Sequence, residues 1–276
     1  MKQHLSTIIL VLILVIGLSL LLYPTFSNWW NEMHSSRAIA DYDEIMANMS
    51  DDAYAHLFDA AMEYNKALAE LSYPLMYYDE VPGYWELLDI TGTGIMGYIN
   101  IEKIDIQLPI YHGTDEGVLQ IAVGHVEGSS LPTGGEGTHC VLSAHRGLPS
   151  ARLFTDLDKL EVGDVFTLTV IDLTLTYQVD QILIVEPHEV NPLYAVDGED
   201  YCTLVTCTPY GVNSHRMLVR GTRIENEKQF AEIRVTTDAV LIRPILVAPF
   251  VAAPILLVLF IRLMLPKPKK KEENDP

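Results

Sequence analysis

The chain carries three cysteines, Cys140, Cys202 and Cys207. An odd number leaves at least one thiol outside any intrachain disulfide. Cys207 closes the strand-like run "YCTLVTC", and "TPYG" then breaks it, so this thiol is presented at a strand end beside a turn. A cysteine there is suited to nucleophilic work. The thiolate is the reacting form, and an unperturbed thiol has a pKa of about 8.5, so a cation or an imidazole must stand nearby. Arg216 lies nine residues on, in the next strand-like run, where a hairpin returns it beside Cys207. Its permanent charge and planar donors suit a developing oxyanion. His215 is adjacent, but strand alternation points it to the other face. His145 ends the run "HCVLSAH" just before the turn "RGLP", a placement like that of Cys207. Together the three positions are more informative than any one of them.

Such a trio needs a rigid frame. From Gly97 onward the chain is a series of short β-branched runs between turn signals: "GYINI", "VLSA", "VFTLTVI", "LTYQVDQILIV", "YCTLVTC" and "RMLVRGTRI". Runs this short and this regularly punctuated suggest an all-β barrel or sandwich. Upstream, residues 36–72 read as helices. Leu57, Ala61, Tyr64, Leu68 and Leu71 recur at helical spacing after a plausible N-cap at Ser50, a stripe for packing on the main domain. Residues 73–93 are irregular and rich in aromatics.

Two uncharged runs frame the 276 residues. Residues 8–22, "IILVLILVIGLSLLL", lead into the aromatic flank "YPTFSNWW" without a small-x-small cleavage site, which favours an uncleaved anchor over a signal peptide. Residues 244–261, "PILVAPFVAAPILLVLFI", precede a basic tail with Lys267, Lys269, Lys270 and Lys271, the mark of a span ending in the cytoplasm. Two spans with both termini inside place residues 31–238 outside. That portion holds 11 Lys and Arg against 34 Asp and Glu, a net of −23. So acidic a surface repels nucleic acid, which excludes that partner class. No ligand spacing indicates a metal, calcium included, and no cofactor is assigned.

With these residues on the page a family resemblance emerges. "TLVTC" resembles the Thr-Leu-x-Thr-Cys signature of sortases, transpeptidases of Gram-positive surfaces. "SAHRGLPSARLFTDLDKLEVGD", "LPIYHGT", "GHVEGSSLPTGG" and "TCTPYGVNSHRMLVRGTRI" resemble the class C, pilin-polymerising branch, and so does the layout with two spans. The resemblance covers Gly97 to Ile224. It implies a mainly β, closed sortase-type barrel with short helices, an N-terminal helical extension and two transmembrane helices. The expected organisation is a cytoplasmic start and anchor at 1–30, a helical extension and lid region at 31–93, and the catalytic barrel at 94–225. A linker at 226–238, a second span at 239–266 and a basic cytoplasmic tail at 267–276 complete it. Cys207 is then the nucleophile for the Thr–Gly amide of a sorting signal. His145 protonates the leaving amine, and Arg216 braces the oxyanion or the substrate backbone. The implied partners are the sorting signals of pilins or surface proteins, the acceptor lysine of a pilin subunit, and membrane lipid.

The resemblance also separates enzyme from substrate. Residues 131–135, "LPTGG", look like the Leu-Pro-x-Thr-Gly tag that sortases cut, but Thr133 follows Pro132 directly. The stretch also lies far upstream of the C-terminal apolar run that a tag should precede. It is expected to be a turn between barrel elements. The class C lid carries an Asp-Pro-aromatic anchor, whereas the one Asp-Pro here is Asp275–Pro276. Asp79, Tyr84 and Trp85 occupy the lid region, and with Thr206 they are the candidates for lid or substrate contacts. In the sortase barrel the strands leading to His145 and Cys207 resemble parallel neighbours. Cys140 and Cys202, each five residues earlier, should then lie side by side, facing away from the catalytic side chains. Either a disulfide staple or two buried thiols fits that position. Other readings are a sortase that anchors proteins to peptidoglycan, a papain-like protease, and a membrane-tethered scaffold in which "TLVTC" is a core strand. The order of His before Cys and the β texture count against the protease.

Overall fold

From Ile95 to Ile224 the short β-branched runs form eight strands among the described residues, and these close into a barrel. The structure is a computed structural model and describes residues 2–226. The strands are β1 (Ile95–Ile101), β2 (Ile106–His112), β3 (Val123–His125), β4 (Thr138–Ser143), β5 (Val165–Val170), β6 (Leu173–Val185), β7 (Asp200–Thr208) and β8 (His215–Ile224). Their order around the barrel is β1-β2-β3-β4-β7-β8-β6-β5, with β5 pairing back to β1. Closure leaves no unpaired edge to recruit other chains. Most neighbours are antiparallel, but β2 with β3 and β4 with β7 run parallel. The expected closed, mainly β barrel is thus what the chain forms.

Alternation along each strand fills the barrel. On β7, Cys202, Leu204 and Thr206 are buried, while Val205 and Cys207 are half-buried on the other face. Phe166, Tyr177, Ile99, Ile110, Leu142 and Val219 join the same core. The β4–β7 register sets Cys140 directly against Cys202, as the equal offsets required. Both are buried free thiols. Burial, together with the Cys140 sulfur beside it, pushes the Cys202 thiol above its ordinary value. Of the three cysteines, only Cys207 reaches the outer face.

Helix α1 (Lys2–Ala47) runs without interruption from the apolar stretch, through Pro24, onto the barrel wall. It is the one helix among the described residues long and apolar enough to cross a membrane, and that apolar stretch is exposed. The second uncharged run, most of the expected linker and the basic tail lie outside the described residues. Beyond the apolar stretch, Ser35, Ile39, Tyr42 and Met46 form a buried stripe. The Tyr42 hydroxyl donates to the carbonyl of Met96 at 2.9 Å and accepts from the amide of Ile171 at 2.7 Å.

Helix α2 (Asp51–Ala69) starts at Ser50, whose carbonyl accepts from Ala53 and Tyr54. Its stripe is the expected one: Ala61, Tyr64 and Leu68 are buried, and Leu57 packs against the same core. The stripe also carries a polar residue. Asn65 accepts from the amide of Leu131 at 2.7 Å and donates to the Leu131 carbonyl and to Thr133 Oγ1 at 3.1 and 2.9 Å. The "LPTGG" stretch is therefore a loop between β3 and β4, latched by α2, with Leu131 and Thr133 buried.

Helix α3 (Pro74–Tyr77) opens the irregular segment that leads to β1. Tyr84 buries its ring there among Tyr64, Tyr78, His112 and His125. Its hydroxyl meets His125 Nδ1 at 3.0 Å and accepts from the amide of Gly113 at 3.0 Å. The segment is thus pinned to the ends of β2 and β3.

Candidate active site

The hairpin β7–β8 pairs Cys207 directly with Arg216, and Thr208 with His215. Residues paired across a ladder share a face, so the thiol and the guanidinium stand side by side, and His215 falls on the opposite face. On the other side of β7, the parallel ladder pairs Ser143 with Val205. Two residues further along each strand come His145 and Cys207. The extension is bonded in place: the amide of Ala144 donates to the Val205 carbonyl at 3.2 Å, and Thr206 Oγ1 donates to the Ala144 carbonyl at 2.8 Å. Three neighbouring strands, β4, β7 and β8, therefore deliver His145, Cys207 and Arg216 to one end of the barrel. The structure thus brings the three sequence candidates to neighbouring positions.

The loop after β4 closes on His145. Its carbonyl accepts from the amide of Phe154 at 3.1 Å, and the Gly147 amide donates to Thr155 Oγ1 at 3.0 Å. Gly147 has a φ of 77°, a backbone conformation that favours glycine, and it packs against the Tyr210 ring. Helix α4 (Glu116–Leu119) brings Glu116 Oε2 to 3.7 Å from His145 Nε2. Gln120 donates to the Glu116 carboxylate, and with His145 it holds this exposed carboxyl below its usual range. The Arg216 guanidinium rests on the carbonyls of Asn213 and His215 at 3.3 and 3.2 Å. Those are neutral acceptors, and among the described residues no carboxylate pairs with it. Its charge is left unneutralised by any of these contacts.

Arg146 follows His145 directly in the sequence, where its type and position alone assign it no role. Its side chain is nearly buried; it pairs with Asp158, reaches Thr208 Oγ1 at 3.5 Å, and lies 6.0 Å from the Tyr210 ring centroid. It therefore ties the turn after His145 to the turn after Cys207. Glu116 is likewise not legible from sequence, because only the path of α4 brings it to His145. Of the other candidates, Thr206 is buried and acts as the clasp to Ala144. Asp79 is exposed in the turn after α3. Tyr84 and Trp85 pack against each other and against His112. Among the described residues, none of their hydrogen bonds or ring contacts reaches His145, Cys207 or Arg216.

A family model described as "Sortase domain" matches residues 99–224. Sortase D of Bacillus subtilis (strain 168) is 30% identical over 131 residues, which is 46% of this chain and 63% of that protein. Sortase SrtE1 of Streptomyces coelicolor is 28% identical over 76% of this chain and 54% of its own length. The chain thus spans between half and two-thirds of these two relatives. The crystal structure of sortase C1 from Streptococcus agalactiae matches at 52% identity and a TM-score of 0.66, covering 69% of this chain and 100% of that one. Streptococcus pneumoniae sortase C matches at 43% identity and a TM-score of 0.62, over 69% and 97% of the two chains. The chain belongs to the sortase family, in its class C branch.

Proposed function

We propose that the protein cleaves the Thr–Gly bond of a Leu-Pro-x-Thr-Gly-like sorting signal and joins the threonyl end to a lysine of a pilin subunit. The observation that carries this reading is the pairing of Cys207 with Arg216 on β8, with His145 arriving on the parallel strand β4. The Cys207 thiolate attacks the threonyl carbonyl. The oxyanion develops beside Arg216, whose planar donors stabilise it more than the ground-state carbonyl. The C–N bond then breaks, and the leaving glycyl amine takes its proton from His145, leaving a thioester on Cys207. A neutral lysine amine attacks that thioester, loses a proton to His145 and expels the thiolate, forming an isopeptide bond. No cofactor is needed. We assign the barrel to the outer side of the membrane, with α1 as an uncleaved anchor and both termini cytoplasmic. The class C neighbours support the pilin acceptor, and the apolar start of α1 supports the anchor.

The test uses the full chain with a soluble Leu-Pro-Ala-Thr-Gly peptide and a lysine-bearing acceptor peptide. Mass spectrometry should show an acyl adduct on Cys207 and then the joined product. Cys207→Ala should lose both while keeping its thermal melt. Turnover in that variant, or no adduct in the wild type, would remove the assignment.

A further inference from the structure

The helix that carries the apolar run also touches the catalytic end of the barrel. Asn28 Oδ1 accepts from the amide of Arg152 at 2.7 Å, in the loop that closes on His145. Asn31 Nδ2 donates to the carbonyl of Ile121 at 3.1 Å, between α4 and β3. Fourteen residues after Asn28, Tyr42 bonds the start of β1 and the end of β5. At 1.5 Å per residue, α1 passes roughly 21 Å along the wall from the catalytic end to the opposite end. The barrel is thus hung on α1 with its catalytic end toward the apolar run.

Length then sets the depth. The fifteen uncharged residues 8–22 rise only about 22 Å, short of a hydrocarbon core of roughly 30 Å. Residues 3–31 hold no Asp, Glu, Lys or Arg, and the exposed Phe26, Trp29 and Trp30 mark the interfacial belt at the outer end of the crossing. Asn28 lies inside that belt, so the loops it and Asn31 hold lie at headgroup level. The catalytic end has an apolar rim to match: Ile121, Ile184, Tyr210 and Val212 are all exposed. Charge does not supply the attraction, since an acidic outer portion is repelled by anionic lipid. The tether and the rim do.

We propose that the catalytic end of the barrel rests on the lipid headgroup layer, so that the site takes sorting signals as they leave the bilayer. The substrate half of this rests on the transpeptidase reading; the docking half does not. Docking is measured without turnover, in full-length Cys207→Ala chains in vesicles of phosphatidylcholine and phosphatidylglycerol. A nitroxide is placed at Ile121→Cys on the catalytic end or at Val196→Cys near Tyr194, whose carbonyl meets His139 at the start of β4. Cys140 and Cys202 are buried and do not take the label. The ratio of collision with oxygen to collision with a water-soluble nickel chelate should be several-fold higher at position 121. Equal ratios would overturn the docking.

The substrate half is tested by a helical heptad inserted between Ser27 and Asn28, which lifts the barrel by about 10 Å in nearly the same rotational phase. Turnover of the soluble Leu-Pro-Ala-Thr-Gly peptide should stay within about twofold of wild type. Turnover of the same peptide carrying a C-terminal apolar helix in vesicles should fall at least tenfold. A wild-type rate on the vesicle-held peptide would overturn that half.

Discussion

At the scale of single residues, the candidate site holds one charge left unneutralised. Arg216 faces only neutral carbonyls, so its charge is available to a substrate oxygen. Arg216→Lys keeps the charge but loses the planar fork, and removal of an oxyanion donor costs on the order of 10²–10³-fold in kcat. The lysine variant should recover less than a tenth of wild-type turnover in a single-turnover peptide assay; full recovery would mean that a point charge suffices. The trio itself was legible in the sequence, because each member sits where a strand-like run meets a turn. Thr206 was legible as a neighbour of the thiol, but its inward clasp to Ala144 depends on which face β7 buries.

At the scale of elements, register carried the most information. Equal offsets before His145 and Cys207 placed Cys140 against Cys202, since parallel strands keep their spacing. The α2 stripe was legible for the same reason, periodicity. Asn65 was not, because its role depends on a loop far away in sequence. Nor was the docking of Tyr84, whose partners are two strand ends and a buried histidine. Arg146 belongs to this scale, since it joins the turns after β4 and β7. Arg146→Met leaves all three chemical groups in place but frees the turns. Small misplacements in such sites cost roughly 10²-fold, so peptide turnover should fall by tenfold to a hundredfold with alkylation of Cys207 retained. An unchanged rate would show that the turns hold without it.

At the scale of the whole molecule, buried imidazoles set a pH limit. Burial holds His139 below its ordinary range, outweighing the Tyr194 carbonyl that favours its charged form, and burial holds His112 down likewise. The unfolded chain therefore takes up protons on these rings at a higher pH than the folded chain. Their contribution is complete above about pH 6.5 and is lost as pH falls below that toward the folded values. The Tm should drop between pH 7.5 and pH 5.5, a window above the carboxylate range, and the drop should shrink in His139→Gln. An identical slope in that variant would remove His139 from the explanation. At this scale the barrel was legible from strand length and punctuation together with the family motifs. The unbroken passage of α1 from apolar run to barrel wall was not, since only the tertiary contacts of Asn28, Asn31 and Tyr42 reveal it.

The parallel pairing of β4 with β7 has a consequence in time. Val141 and Thr203 are ladder partners, yet β5, β6 and their loops lie between them in the chain. Closing so long a loop costs entropy before any contact offsets it, and contacts of this separation form slowly. His145 and Cys207 cannot become neighbours until β7, almost the last strand made, has been laid beside β4. A nascent or half-assembled chain carries the thiol but not the site, so the proposed acyl transfer begins only with completion of the barrel.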